Sequence, residues 1–204
     1  MIRVAFILLM SLALSSQAVA SVKWSNSGED SVQQGRLAYE KGDYGTALQI
    51  FIAVAEKGDL VAQFYLAKMY REGKGVSKDY KAAVKWFNLS AKQGNAVAQY
   101  HLGVAYSFGL GVVPDYEIAL KWYLKSAEQG NALAQNHLSL LYYFGNGVPE
   151  DKKYAYMWAY LASLSGFEMA EQLRQVLTEQ MTASQIDEAL LLTRKCKHRN
   201  FNGC

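Results

Sequence analysis

A step of 36 residues relates eleven separate sets of positions along this chain, and that register restricts the fold to stacked repeats of one small unit. Gly58, Gly94, Gly130 and Gly166 form one set, and Trp86, Trp122 and Trp158 form another. The same step relates Ala62, Gln63, Leu66, Tyr70, Gly73, Gly75, Val76, Asp79 and Ala83 to like residues 36 and 72 positions later. Within a unit the apolar spacing is helical. Ala62, Leu66 and Tyr70 recur every four residues on one face, and Ala83, Trp86, Phe87 and Ser90 form a second such face. Each unit is therefore expected to be two antiparallel helices, with small residues allowing close approach and aromatic rings filling the space between. The Gly-x-Gly-Val runs are the turns inside units. Gly94 and Gly130 are placed to stop the second helices in the left-handed conformation, and Asn95 and Asn131 to cap the next first helices. Pro114 and Pro149 precede second helices, where a missing N–H costs little.

The run Ala98-Gln99-Tyr100-His101-Leu102-Gly103, followed by Tyr106, Gly109-x-Gly111-Val112, Asp115, Ala119, Trp122, Ala127 and Gly130, resembles a nearly complete Sel-1-like repeat. Three such units are read at 59–94, 95–130 and 131–166. Upstream, Gly35-x-x-Ala38-x-x-x-Gly42-Asp43-Tyr44-x-x-Ala47 is similar to an ordinary tetratricopeptide unit with a shorter turn, within a segment 21–58. Residues 167–204 lose the Trp and both turn glycines. There Thr182-Ala-Ser-Gln185 is a capping box that opens a helix to about His198, and the segment is read as a terminal helical cap. The resemblance implies an all-α, right-handed α-solenoid of antiparallel helix pairs.

The first twenty residues have the three parts of a secretory signal. Arg3 supplies charge, Val4 to Leu14 an apolar core, and Ala18-Val19-Ala20 a cleavage site before Ser21. That core is too short to span a bilayer, which takes about 20 residues, and no later stretch is apolar enough. The expectation is an exported protein, periplasmic in a Gram-negative bacterium or secreted, with no stable membrane insertion. Lys and Arg number 21 against 18 Asp and Glu, spread along the chain, which is no footprint for nucleic acid. The one local excess is Arg194, Lys195, Lys197, His198 and Arg199, read as a last helical turn that complements the helix dipole, with an anionic docking patch as the alternative. Cys196 and Cys204 are the only cysteines, and in an exported chain such a close pair is read as a disulfide fastening the tail.

The residues offer little chemistry. Gly-x-Gly recurs without a following Gly-Lys-Ser/Thr, so it is a turn and not a phosphate loop. His101 and His137 occupy one repeat position and face a common groove, but a metal needs a third ligand that the row does not offer. Asp79, Asp115 and Asp151 stand at helix starts, where they cap amides. No catalytic, metal or cofactor site is assigned. Some cysteine-rich secreted Sel-1-like proteins are associated with penicillin binding and weak β-lactamase activity. Here the repeats hold no cysteine and the mature chain no Ser-x-x-Lys, so that activity remains only the alternative.

Similarity to tetratricopeptide repeats implies a concave groove built from the first helices. It places Phe64, Tyr65, Lys68 and Arg71 there, then Tyr100, His101, Val104 and Ser107, then Asn136, His137, Leu140 and Tyr143. The expected function is a non-catalytic scaffold that binds a protein or peptide of the cell envelope in this groove. A regulator or assembly factor of an envelope complex is a second possibility that the resemblance permits. Trp122→Ala is expected to open a central cavity costing about 3 to 5 kcal/mol.

Overall fold

The computed structural model describes residues 28–204 except 200 and 202; the signal-like segment and Trp24 lie outside the described residues. It is an all-α solenoid. The helices are α1 (Gly28–Glu40), α2 (Tyr44–Ala55), α3 (Leu60–Glu72), α4 (Tyr80–Lys92), α5 (Ala96–Phe108), α6 (Tyr116–Ala127), α7 (Ala132–Phe144), α8 (Lys152–Ser163), α9 (Glu168–Gln180) and α10 (Ala183–His198). Consecutive helices from α1 to α9 pack as neighbours, and first helices α5, α7 and α9 approach one another along one side.

Local chemistry sets the ends of these helices. Asn95 accepts from the amides of Val97 and Ala98, and Asn131 from Ala134. Asp79, Asp115 and Asp151 do the same at the second helices. The capping box of Thr182 and Gln185 is formed. Gly73, Gly109 and Gly145 end the first helices in the left-handed region.

Buried polar side chains tie each unit to the previous one. Gln99 Nε2 donates to the carbonyl of Ala91 in the preceding unit (3.1 Å), while Gln99 Oε1 accepts from Gln129 Nε2 (2.7 Å). Gln63 repeats both contacts, with Ala55 and Gln93. In the third unit Gln135 reaches Ala127, but its Oε1 is buried without a partner, because Ser165 stands where the donor glutamine should be. Ser165 is exposed, as Gln93 and Gln129 are. Ser165→Gln should therefore complete the ladder and stabilise the protein by about 1 kcal/mol. Thermal unfolding should then move up by about 2 to 4 °C.

The C-terminal segment departs from the repeat pattern. α10 packs on α8 instead of pairing with α9. The Cys196–Cys204 disulfide folds the tail back, so that Phe201, Cys204 and Leu192 join the core around Tyr123, Leu138 and Trp158. The Gly203 amide donates to Glu128 at the end of α6 (3.1 Å). Trp158 is consequently fully buried, whereas Trp86 and Trp122 at the same repeat position are partly exposed. The expectation that removing Trp122 opens a central cavity is corrected on this point, because Trp122 is partly exposed. α10 and the tail lie over the last tryptophan only.

Candidate interaction face

Rings from successive units meet along the side formed by the first helices. Tyr39 of α1 stands edge-on to Tyr65 of α3 (5.7 Å), and Tyr65 to Phe64 (5.4 Å). Phe64 stacks with His101 of α5 (6.1 Å), which also lies 4.9 Å from Phe87 of α4. Tyr100 adjoins both His101 and His137 of α7, and His137 stacks flat on Tyr123 of α6 (4.9 Å). The row thus runs from the leading unit through the three repeats, because α3 and α5 each contribute two adjacent rings at one repeat position and α7 contributes His137, with Phe87 and Tyr123 of the second helices behind them.

Most of the expected groove residues belong to this surface. Tyr65, Lys68, Arg71, Tyr100, His101, Val104, His137, Leu140 and Tyr143 are all partly exposed. Two are corrected. Ser107 is buried, with its hydroxyl donating to Tyr123 Oη (3.3 Å), so it braces a core ring instead of facing solvent. Asn136 is also buried, whereas Phe64 and Tyr100 at the same repeat position are partly exposed. Tyr143 accepts a hydrogen bond from Gln180 at the end of α9 (3.2 Å).

Other residues of the face were not singled out in the sequence. Phe108 and Phe144, at one repeat position, are 62% and 63% exposed at the ends of α5 and α7, and Val113 in the neighbouring turn is 82% exposed. Their identity at a 36-residue step was the available signal, but the unit at 59–94 carries Glu72 there and breaks the set. Glu72 is itself a focal point. It accepts from Tyr39 Oη, Arg71 and Lys74 at 2.7, 2.7 and 3.0 Å. Burial works against its charge, but these hydrogen bonds outweigh it and hold the carboxyl at a pKa of about 2.

His101 and His137 are both less basic than a free imidazole. Burial, reinforced by the positive charge of Arg71, lowers the His101 pKa to about 3. Arg71 Nη1 lies 2.9 Å from His101 Nδ1 and 3.1 Å from Nε2, and a guanidinium can only donate, so it meets the bare nitrogen of a neutral ring. Burial lowers His137 as well. Below pH 6.5 the unfolded chain binds a proton that the folded His101 refuses until about pH 3. Stability should therefore fall as pH drops through this window, by up to about 3 kcal/mol at pH 4.5 from this group. Glu72 adds its own loss only below about pH 4.5. His101→Gln should flatten the dependence of melting temperature on pH between 6.5 and 4.5, and an unchanged slope would assign the loss elsewhere.

Among the described residues, no three His, Cys, Asp or Glu side chains come together to hold a metal. No helix among them is long and apolar enough to cross a membrane.

The Sel1 repeat family model matches residues 60–95, 96–131 and 132–167. Among solved structures, the chain is similar to a Sel1 repeat protein from Oxalobacter formigenes, at 31% identity and a TM-score of 0.66, over 69% of this chain and 56% of that one. It is also similar to a protective antigen present in uropathogenic Escherichia coli strains that displays an SLR fold. There the identity is 30% and the TM-score 0.68, over 87% of this chain and 42% of that one. The chain thus spans about half the length of these two structures. No curated protein matches it.

Proposed function

Because the chain belongs to the Sel1-repeat family, whose repeats generally mediate protein–protein interaction, we propose that it is a non-catalytic scaffold of the cell envelope that holds a protein or peptide partner on its first-helix face. The observation that carries this reading is the row of partly exposed rings from Phe64 and Tyr65 through Tyr100 and His101 to His137, bordered by the exposed Phe108 and Phe144. Amphipathic rings have the composition of a contact surface. Rings locked against one another also lose little freedom when a partner arrives.

Export is part of the proposal. It rests on the signal-like first twenty residues and on the Cys196–Cys204 disulfide, which persists in oxidising compartments. The similar antigen of uropathogenic Escherichia coli is in keeping with it.

The face is tested at Phe108, which is exposed, and at Val104, which is partly exposed and also packs on the core. Phe108→Ala should leave melting close to wild type and Val104→Arg should keep the helicity at some cost in melting temperature, and both should weaken capture of a partner from the native compartment at least about tenfold. Lys125→Ala, on the opposite side, should leave capture unchanged. Equal capture by all three variants would refute the assignment of the face.

A further inference from the structure

The first-helix face is not uniform. At its N-terminal end, Tyr39, Tyr44 and Tyr65 form a cluster of rings, with Tyr39 5.3 Å from Tyr44 and 5.7 Å from Tyr65. Three cations lie over these rings. Lys68 Nζ is 4.7 Å from the Tyr39 centroid and 5.9 Å from that of Tyr65, Arg36 is 5.9 Å from Tyr65, and Lys74 is 5.1 and 5.3 Å from Tyr39 and Tyr44. Glu72 is the carboxylate among them; it already accepts from Tyr39, Arg71 and Lys74, and Lys68 favours its charge from further off. Of the acids nearby, Asp43 caps α2 and Glu40 is exposed on α1. Among the described residues neither Arg36 nor Lys68 takes part in an ion pair. Positive charge is thus in excess here, and Lys68 and Arg36 lie over ring faces without an ion pair, whereas Lys74 is also paired with Glu72.

One unit further on, the character changes. His101 is uncharged, and with Phe87, Val104, Leu110 and the stem of Arg71 it lines a shallow apolar hollow between α4 and α5. Arg71 links the two regions, because it bonds to both Glu72 and His101. The Arg71 fork, which would suit a phosphate, is therefore already engaged, while Lys68 and Arg36 present charge that a carboxylate can meet.

We propose that this end of the face binds an acidic protein segment, with a carboxylate against Lys68 and Arg36 and an apolar side chain in the hollow beside Phe87 and Val104. This rests on the reading of the first-helix face as the partner site and gives that partner a chemistry. Cations parked on rings lose little freedom when a carboxylate arrives, and the neutral His101 adds no second charge to that of Arg71 beside the hollow.

Three fluorescein-labelled dodecapeptides test it by anisotropy with the full mature, disulfide-bonded chain. One carries four Glu and a Leu, the second Gln for each Glu, and the third Ser for Leu. The Glu/Leu peptide should bind about tenfold more tightly than the Gln peptide. It should also bind severalfold more tightly than the Ser peptide, and most of the charge preference should vanish between about 50 and 500 mM NaCl. Combined Arg36→Glu and Lys68→Glu should abolish the preference. Neither residue makes an ion pair, so helicity should persist, and Arg36→Gln with Lys68→Gln serves if the reversal unfolds the chain. Equal binding of Glu and Gln peptides, a preference that survives both double variants, or no binding of the Glu/Leu peptide at about 1 mM protein would each overturn the proposal. Capture of the native partner separates the two readings. If Val104→Arg lowers it and the charge variants do not, the face stands and the acidic ligand falls; if neither lowers it, both fall.

Discussion

Gly111→Ala is expected to destabilise the protein by about 3 kcal/mol or more, although it adds one methyl group in a surface turn. Two costs coincide there. Gly111 has φ +79°, a conformation that costs an L side chain about 1 to 2 kcal/mol. The added Cβ would also lie 2.5 Å from the carbonyl carbon and oxygen of Tyr80 and 2.8 Å from the amide of Lys81, so the two units must move apart. Backbone cannot rotate aside as a side chain can. Gly147 meets Tyr116 and Glu117 in the same way, and Gly75 meets Tyr44, so the second turn glycine is the joint at which each unit rests on the start of the previous second helix. Gly94→Ala is the control. Its φ is +95°, but the added atom would meet nothing within 4 Å, so only the conformational cost applies. Urea unfolding of the two variants should separate them by about 1 to 3 kcal/mol. Equal losses would mean that the close approach at Gly111 carries no energy.

Trp158→Ala should cost about 3 to 5 kcal/mol, and Trp86→Ala distinctly less, despite their identical place in the repeat. Trp158 is fully enclosed by α8, α7 and the folded-back α10, and removing it leaves a cavity on which Leu138, Leu161 and Cys196 converge. Trp86 is partly exposed with Lys85 over its ring, so water replaces much of what is lost. Trp158→Phe should be far milder, because the ring volume largely remains and the buried indole N–H that finds no partner is removed. Thermal unfolding of the three variants decides the order. A Trp86→Ala loss as large as that of Trp158→Ala would contradict the part assigned to α10.

These two cases mark what could be read from the chain alone. Helix number and turns within the repeats were legible because each signal occurs three times, so Asn95, Asn131 and the aspartates at 79, 115 and 151 identify one another as caps. The period also identified the Gly-x-Gly turn, yet the reason for its second glycine is a contact with the preceding unit, about 31 residues away, which periodicity does not encode. The burial of Trp158 escaped notice for a related cause. It depends on where α10 folds, and α10 belongs to no repeat. On the interaction face the resemblance to tetratricopeptide repeats placed Tyr100, His101 and His137 in one row, but it could not tell that Ser107 turns inward to Tyr123. The cluster of Tyr39, Glu72 and Lys74 joins the shorter leading unit to the next one, so no 36-residue step relates its members.

The central claim, that a partner lies along the first helices, is tested most directly by site-specific photocrosslinking in the native compartment. A photoreactive phenylalanine analogue replaces Val104 on the face in one sample and Lys125 on the opposite side in another. Val104 should yield one discrete protein adduct on irradiation, identified by mass spectrometry, and Lys125 should yield none of that species. The same adduct from Lys125 in equal amount, or no adduct from Val104, would contradict the account.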